Sequence, residues 1–288
     1  MKASQFRYHL PKNIEEAVAI LADLAPHDGR ILAGGQSLVP IMAFRLAKPQ
    51  HLIDINGIAE LNQLLVRDGR LCIGACVRHS AFAQPLVNGV LGKLLSTVVK
   101  YIAHFPIRTR GTFCGSIAHA DPSSEWCAVA VALDAEMVAY SVRGQRIIVA
   151  REFFTGMMTT GLREDELLVE VRLPVPHPDI RFGFDEFNRR AGDFALAMAL
   201  VHYRLEDGRI VEPCVAIGGS EPFPRRIADA ETTLAGRQPA DDTFRQVAEA
   251  AALAIEPMED VQTSVEYRRA LVQAVTERAL VRSIGAGI

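Results

Sequence analysis

Hydrophobic positions along the chain repeat with two periods, and the alternation between them divides it into many short elements. Residues 13–24, NIEEAVAILADL, carry apolar side chains at 17, 18, 20, 21 and 24, the stripe of an amphipathic helix, with Asn13 placed to cap it. GRILAGGQSLVPIMAFRL then reads as a short strand, a Gly-Gly turn and an apolar segment. HLIDIN and RLCIGACV read as strands, with RDG as the turn before the second. HSAFAQPLV and NGVLGKLLSTVVKYIAHF read as helical. In the longer one Leu91, Leu94, Leu95, Val98 and Ile102 share a face, and Pro106 ends it.

Further along, WCAVAVAL is uniformly apolar and predicts a buried helix. AEMVAYSVRGQRIIVA predicts a hairpin around Arg143-Gly144, and ELLVEVRLPVP a strand ended by prolines. The Pro-rich PVPHPDI, 174–180, is the best boundary in the chain. Beyond it, LAMALVHYRL and RIVEPCVAIGG flank the turn EDG as a strand hairpin, and helical sequence follows. Strands followed by helices predict an α+β C-terminal domain. The sequence contains neither an internal repeat nor a low-complexity tract.

Composition narrows the function. The chain has 288 residues, enough for two domains, with 49% hydrophobic and 23% charged residues and a formal net charge of -3. That charge leaves no basic footprint for nucleic acid. No apolar run reaches the roughly 18 residues of a membrane span, and the first residues lack the apolar core of a signal peptide, so a cytoplasmic location is expected. The five cysteines, Cys72, Cys76, Cys114, Cys127 and Cys214, form no CxxC pair, which excludes an iron–sulfur cluster held by this chain. The spacing of Cys72 and Cys76 puts both on one face of a predicted strand, as buried small hydrophobes.

Three stretches could carry chemistry. In ILAGGQSL a strand runs into Gly34-Gly35 with a hydroxyl two residues on. This pattern exposes backbone N–H groups that could nest a phosphate, or serves only as a tight strand–helix turn. It is neither a Rossmann nor a P-loop fingerprint. RGTFCGSIAHADPSSEW, 110–126, gathers small residues, hydroxyls, His119, Asp121 and Glu125, with Pro122 setting the start of the next helix. Two such turns suit an extended pyrophosphate between two lobes. His119 with Asp121 could instead be a metal pair, but no third ligand is near. The third, EFNRRAGDFALA, is a solvated turn by default, or a loop that lays Phe194 on a planar ring. Cys114 lies five residues from His119, yet closeness in sequence does not make a nucleophile–base pair, so no catalytic residue is assigned.

Together AGGQSL, RTRGTFCGSIAHADPSSE and RRAGDFA resemble the FAD-binding medium subunit of the molybdenum hydroxylases. That family includes the medium subunits of carbon monoxide dehydrogenase and quinoline oxidoreductase and the central flavin domain of xanthine dehydrogenase. The resemblance spans essentially the whole chain, in order. It implies an α+β fold: a two-lobed FAD-binding domain of the PCMH type over residues 1–176 (lobes of about 1–55 and 56–176), then a C-terminal domain over 177–288 with a small antiparallel sheet and helices.

By the family pattern, Leu32, Ala33, Gly34, Gly35, Gln36, Ser37 and Leu38 would surround the FAD pyrophosphate and ribityl. Thr112, Cys114, Gly115 and Ser116 would form the second phosphate-side turn, with His119 and Glu125 touching the cofactor. Ile102 and Leu168 would pack on the isoalloxazine, and Phe194 would approach it from its loop. The family commonly has Thr-x-Gly-Gly where this chain has Thr112-Phe113-Cys114-Gly115. If position 114 needed a positive φ, the cysteine would cost about 1 kcal/mol.

The resemblance also implies partners. A large subunit would hold the molybdenum cofactor and hydroxylate the substrate, and a small one would carry two two-iron two-sulfur clusters. The assembly would be a dimer of heterotrimers. This chain would take electrons one at a time on FAD and pass them to an external acceptor. The sequence context leans toward N-heteroaromatic substrates. A free-standing flavin oxidoreductase and a non-catalytic nucleotide-binding scaffold are the competing readings.

Overall fold

In the computed structural model, which describes residues 2–85, 87–261 and 263–285, the first helical stripe folds as α1 (Ile14–Leu24). Asn13 caps it, its side-chain oxygen accepting from the Glu16 amide at 2.8 Å. α1 buries Ala17, Val18 and Leu21 and lies against a three-stranded sheet. The strands are β1 (Arg7–His9), β2 (Gly29–Leu32) and β3 (His51–Asp54), paired parallel in the order β1-β3-β2. Parallel neighbours need crossovers. α1 joins β1 to β2, and α2 (Leu38–Ala43) lies between β2 and β3.

The second sheet has five antiparallel strands. It is built from β4 (Leu64–Arg67), β5 (Arg70–Gly74), β6 (Glu136–Ser141) and β7 (Gly144–Val149). After a small hairpin of β8 (Phe154–Gly156) and β9 (Thr159–Thr160), β10 (Leu167–Pro174) enters its middle, giving the order β4-β5-β10-β6-β7. Between β5 and β6 run α3 (Val90–Val98), α4 (Phe105–Arg108), α5 (Phe113–His119) and α6 (Glu125–Ala132). A one-turn α7 (Ala150–Phe153) follows β7. All eight residues of α6 are buried, which is why its sequence shows no polar face. Trp126 packs on Phe113 with ring centroids 4.7 Å apart and on Phe82 at 5.2 Å, anchoring α5 and α6 together.

The third sheet is an antiparallel meander of β11 (Arg181–Phe187), β12 (Ala197–Glu206), β13 (Arg209–Gly218) and β14 (Arg225–Arg226). α8 (Ala228–Leu234), α9 (Asp241–Ala254) and α10 (Val265–Gly285) complete this part of the fold. Along β12, Ala197, Ala199, Val201 and Tyr203 enter a core with Phe244, Val247, Val272 and Val275 of the helices. The alternate residues Met198 and Leu200 enter the core that holds Trp126. The strand is apolar on both faces because it walls two cores. α10 crosses β11 closely enough that a side-chain carbon at Gly183 would overlap the Ala279 carbonyl.

Three sequence expectations change. The long helix over NGVLGKLLSTVVKYIAHF ends at Val98; the chain turns through Ala103 at φ 40° and restarts as α4. Pro106 sits in the first turn of α4, where its missing N–H leaves no bond unmade, so it opens a helix where the sequence predicted an end. Leu91, Leu94, Leu95 and Val98 are buried on α3 as expected, and Ile102 is buried beyond its end. HSAFAQPLV forms only a 3-10 turn over His79–Ala83, and Leu86 lies outside the described residues. β5 stops at Gly74, so Cys76 falls in the following turn, off the strand face it was expected to share with Cys72. Both are buried, Cys76 with its Sγ 3.4 Å from the Ile55 carbonyl.

Candidate functional site

The first turn leaves the end of β2. Leu32 and Ala33 are half-buried, and the chain then reverses at Gly35, whose φ of +72° favours glycine. Gln36 donates from Nε2 to the Gly34 carbonyl at 3.2 Å. Ser37 precedes α2 without a side-chain cap, and Leu38 is the first residue of that helix. Among the described residues, the amides of Gly34, Gly35, Gln36 and Ser37 donate to no acceptor. Four N–H groups with no protein acceptor, beside a positive-φ glycine, are available to an anion.

The second turn opens α5. Thr112 is buried and caps the helix, its Oγ1 accepting from the Gly115 amide at 3.0 Å. Cys114 lies in the first turn of α5 with a negative φ, so position 114 needs no left-handed backbone and the strain foreseen for a cysteine there is absent. Its Sγ donates to the Ile73 carbonyl at 3.3 Å, and burial holds the thiol far above the usual cysteine range. The Ser116 and Ser124 hydroxyls are 2.8 Å apart. His119 is the last residue of α5 and half-buried, while Ala120 at φ 52° ends the helix. Asp121 accepts from the Ser123 amide at 2.8 Å, which shapes the loop into α6.

The two turns touch. A side-chain carbon at Gly34 would sit 2.5 Å from the Arg110 carbonyl and 2.6 Å from the Gly111 Cα, so only glycine permits this approach. Beside the contact lies a cavity of about 140 Å³. Of the sequence-predicted residues, Ala33, Cys114, Gly115 and Leu168 line it. Leu168 reaches it from β10, so the second sheet forms one wall.

The other predicted residues do not line that cavity, and of these Ile102 and Phe194 lie outside both turns as well. Ile102 is buried in the turn after α3, its carbonyl accepting from Arg108 Nη1 at 2.8 Å, and does not line it. Phe194 is 74% exposed on the loop between β11 and β12. That loop is tied to the second turn by the Ser123 hydroxyl, which donates to the Ala195 carbonyl at 2.7 Å.

Other lining residues escaped the sequence reading, among them Ile55, Leu162 and Glu166. Glu166 is held by a bidentate pair to Arg146, both contacts at 2.7 Å, and this pairing keeps its carboxyl below the usual range. Nothing marked it in sequence, because Arg146 comes from the edge strand β7, 20 residues away.

Electrostatically the site has one unusual pair. Glu125, in the first turn of α6, is buried, and burial with the nearby Asp121 raises its pKa. Burial and the charge of Glu125 raise Glu186 on β11 as well. Asn188 donates to Glu186 Oε1 at 3.0 Å, while Oε2 is buried without a partner. Behind the second turn, Trp126 Nε1 donates to His79 Nδ1 at 2.9 Å, and burial pushes His79 down to about 4, so it is neutral near pH 7. Among the described residues, no group of three or more His, Cys, Asp or Glu side chains could hold a metal ion, and no helix is long and apolar enough to cross a membrane.

The chain matches two families in tandem. Residues 4–176 match the FAD binding domain in molybdopterin dehydrogenase, and residues 182–283 match the CO dehydrogenase flavoprotein C-terminal domain. It is 39% identical to caffeine dehydrogenase subunit beta of Pseudomonas sp. (strain CBB1), covering 98% of this chain and 96% of that one. It is 35% identical to the nicotine 6-hydroxylase medium subunit of Paenarthrobacter nicotinovorans, covering 98% and 99%. Its fold superposes with a TM-score of 0.95 on a chain of carbon monoxide dehydrogenase from Hydrogenophaga pseudoflava, at 34% identity and with both chains covered completely.

Proposed function

The chain belongs to the FAD-binding medium subunits of the molybdenum hydroxylases, and from that premise we propose that its two abutting glycine turns hold FAD. The observation that carries this is the cluster of unsatisfied amides beside the Gly34–Gly111 contact. A diphosphate needs donors and little side-chain bulk, and both are present. The residues therefore fit the group. Leu32 through Leu38 would take its pyrophosphate and ribityl from one side. Thr112, Cys114, Gly115 and Ser116 would close from the other, with His119 and Glu125 at the edge of the same turn. Leu168 and Ile102 are the buried apolar side chains assigned to the ring. Phe194, on its exposed loop, is assigned to the side where electrons leave.

FAD, when bound, would accept electrons delivered by iron–sulfur clusters and release them to an external acceptor. The chain's own part is to bind and orient: amides fix the phosphates, apolar walls from β2, α5 and β10 exclude water, and neutral His79 backs the second turn without adding charge. We assign residues 1–176 to the FAD-binding domain, in lobes of about 1–55 and 56–176, and residues 177–288 to the C-terminal domain. The partners are a large molybdopterin-binding subunit and a small iron–sulfur subunit, assembled as a dimer of heterotrimers in the cytoplasm. The similarity to subunits named for caffeine and nicotine supports an N-heteroaromatic substrate, bound on the large subunit.

Purification tests this. The chain should be yellow with releasable FAD, and inert toward N-heteroaromatics until the molybdenum and iron–sulfur subunits are added. Substrate turnover by the chain alone would sink the proposal, and so would a chain that takes up no flavin.

A further inference from the structure

We infer that Asn56 and Arg78 are positioning residues that lock the two glycine turns into one cradle; this rests on the flavin reading above. Neither lies in a glycine turn. Asn56 follows β3, and Arg78 follows the turn after β5. Between them they connect the first turn to the second. Asn56 Nδ2 donates to the Ala33 carbonyl at 2.7 Å and to Asp54 Oδ1 at 2.6 Å. Its Oδ1 accepts from Arg78 Nη2 at 2.6 Å. Arg78 Nη1 donates in turn to the Arg110 carbonyl. That carbonyl is one of the backbone atoms against which Gly34 packs.

The order of groups in this chain is dictated by chemistry. Asp54 only accepts and Arg78 only donates, so the group between them must do both, and a primary amide does. Tyr8 donates to Asp54 Oδ2, and the Asn56 amide N–H donates to Asp54 Oδ1 at 2.8 Å, so the carboxylate is itself fixed. Arg78 is anchored at its other end by backbone. The Phe113 amide donates to the Val77 carbonyl at 3.0 Å and the His79 amide to the Gly111 carbonyl at 3.0 Å, so residues 77–79 run along residues 111–113. The guanidinium therefore rides on a segment bridged to the second turn at Thr112 and reaches back to the first. An arginine is suited to this, since its planar fork serves two acceptors at once, whereas a lysine ammonium on a flexible stem would not hold both in register.

The test uses the full chain, with any subunits that co-purify, stripped of flavin and titrated with FAD. The readouts are flavin fluorescence for Kd and the melting midpoint of the stripped form. Arg78→Met and Asn56→Leu should each raise the FAD Kd by about tenfold or more, because FAD must then order the two turns as it binds, while the flavin-free chain still melts in one transition within a few degrees of wild type. Arg78→Lys should recover only part of the affinity. Millimolar guanidinium, well below denaturing levels, should restore part of it to Arg78→Ala.

The brace is overturned if both variants bind FAD within about threefold of wild type, a change of under 1 kcal/mol. It is also overturned if affinity and flavin-free stability fall together and guanidinium restores neither, for then the residues hold the fold and not the cradle. A wild-type chain that takes up no FAD overturns the flavin reading, and the brace with it.

Discussion

At the scale of single residues, Cys114 stands where the family resemblance led us to expect a glycine, and the structure resolves the consequence. The residue is helical, so a glycine is not required there by a left-handed backbone. Its sulfur fills part of the cavity wall and donates to a carbonyl of β5. A thiol so buried, with its ionisation strongly opposed, is a poor nucleophile. Native protein should therefore leave Cys114 unmodified by iodoacetamide near neutral pH, as peptide mapping after a timed reaction would reveal. Cys114→Gly should keep FAD while losing about 1 kcal/mol or more of stability, a few tenths from the helix cost of glycine and the rest from the lost packing of its buried sulfur. Rapid alkylation of Cys114 in the folded chain, or loss of electron transfer with FAD retained in the glycine variant, would give the thiol a role that packing does not explain.

Between elements, the decisive contact is the one that brings the start of α6 and the strand β11 together. Glu125 comes from the first and Glu186 from the second, with Asp121 and Asp185 nearby and Arg278 and Arg282 paired to Asp185 at 3.4 and 2.7 Å. Burial first, and then the charge of Glu125, makes Glu186 resist ionising. The unfolded chain ionises Glu186 at ordinary carboxylate pH, while the folded chain holds its proton longer. Stability from this group is thus complete at low pH and is lost as pH rises through the raised value. Glu186→Gln should remove that loss, raising the melting midpoint by about 2 °C or more near pH 8 and leaving it nearly unchanged near pH 5. A variant whose gain is the same at both values would show that burial and the neighbouring Glu125 do not hold the proton on Glu186 in the folded chain.

The same contrast explains what the sequence could reveal. The helical stripe of α1, the hairpin at Arg143-Gly144 and the Gly34-Gly35 turn are local patterns, and they were legible, whereas the second stretch, expected as a flexible turn, folds from Phe113 as helix α5. Glu186, Glu166, Asn56 and Arg78 act through partners on other elements, in pairings from 20 to about 60 residues apart along the chain. No local periodicity records such pairings. The misread helix ends have a related cause: an apolar run through Ile102 continues the burial pattern after the backbone has left the helix.

For the whole molecule, the four-stranded sheet joins what would otherwise be two separate cores, because β12 supplies side chains to both. The loop carrying Phe194 leaves the end of β11 and returns at β12, so the C-terminal sheet supports it. Its tether to the second turn through Ser123 brings it to the proposed flavin cradle. All five cysteines are buried and unpaired, and no metal-ligating cluster exists among the described residues. On the proposed function, FAD is the electron carrier of this chain, and relay depends on carriers held in the partner subunits. Anaerobic titration with dithionite should reduce the purified chain by one electron pair per bound FAD and the flavin-free chain by none. In a complex with the partner subunits the uptake should rise by the content of their clusters. Extra electrons accepted by the flavin-free chain alone would mean that it holds a second redox group, and the division of labour between the subunits would fail.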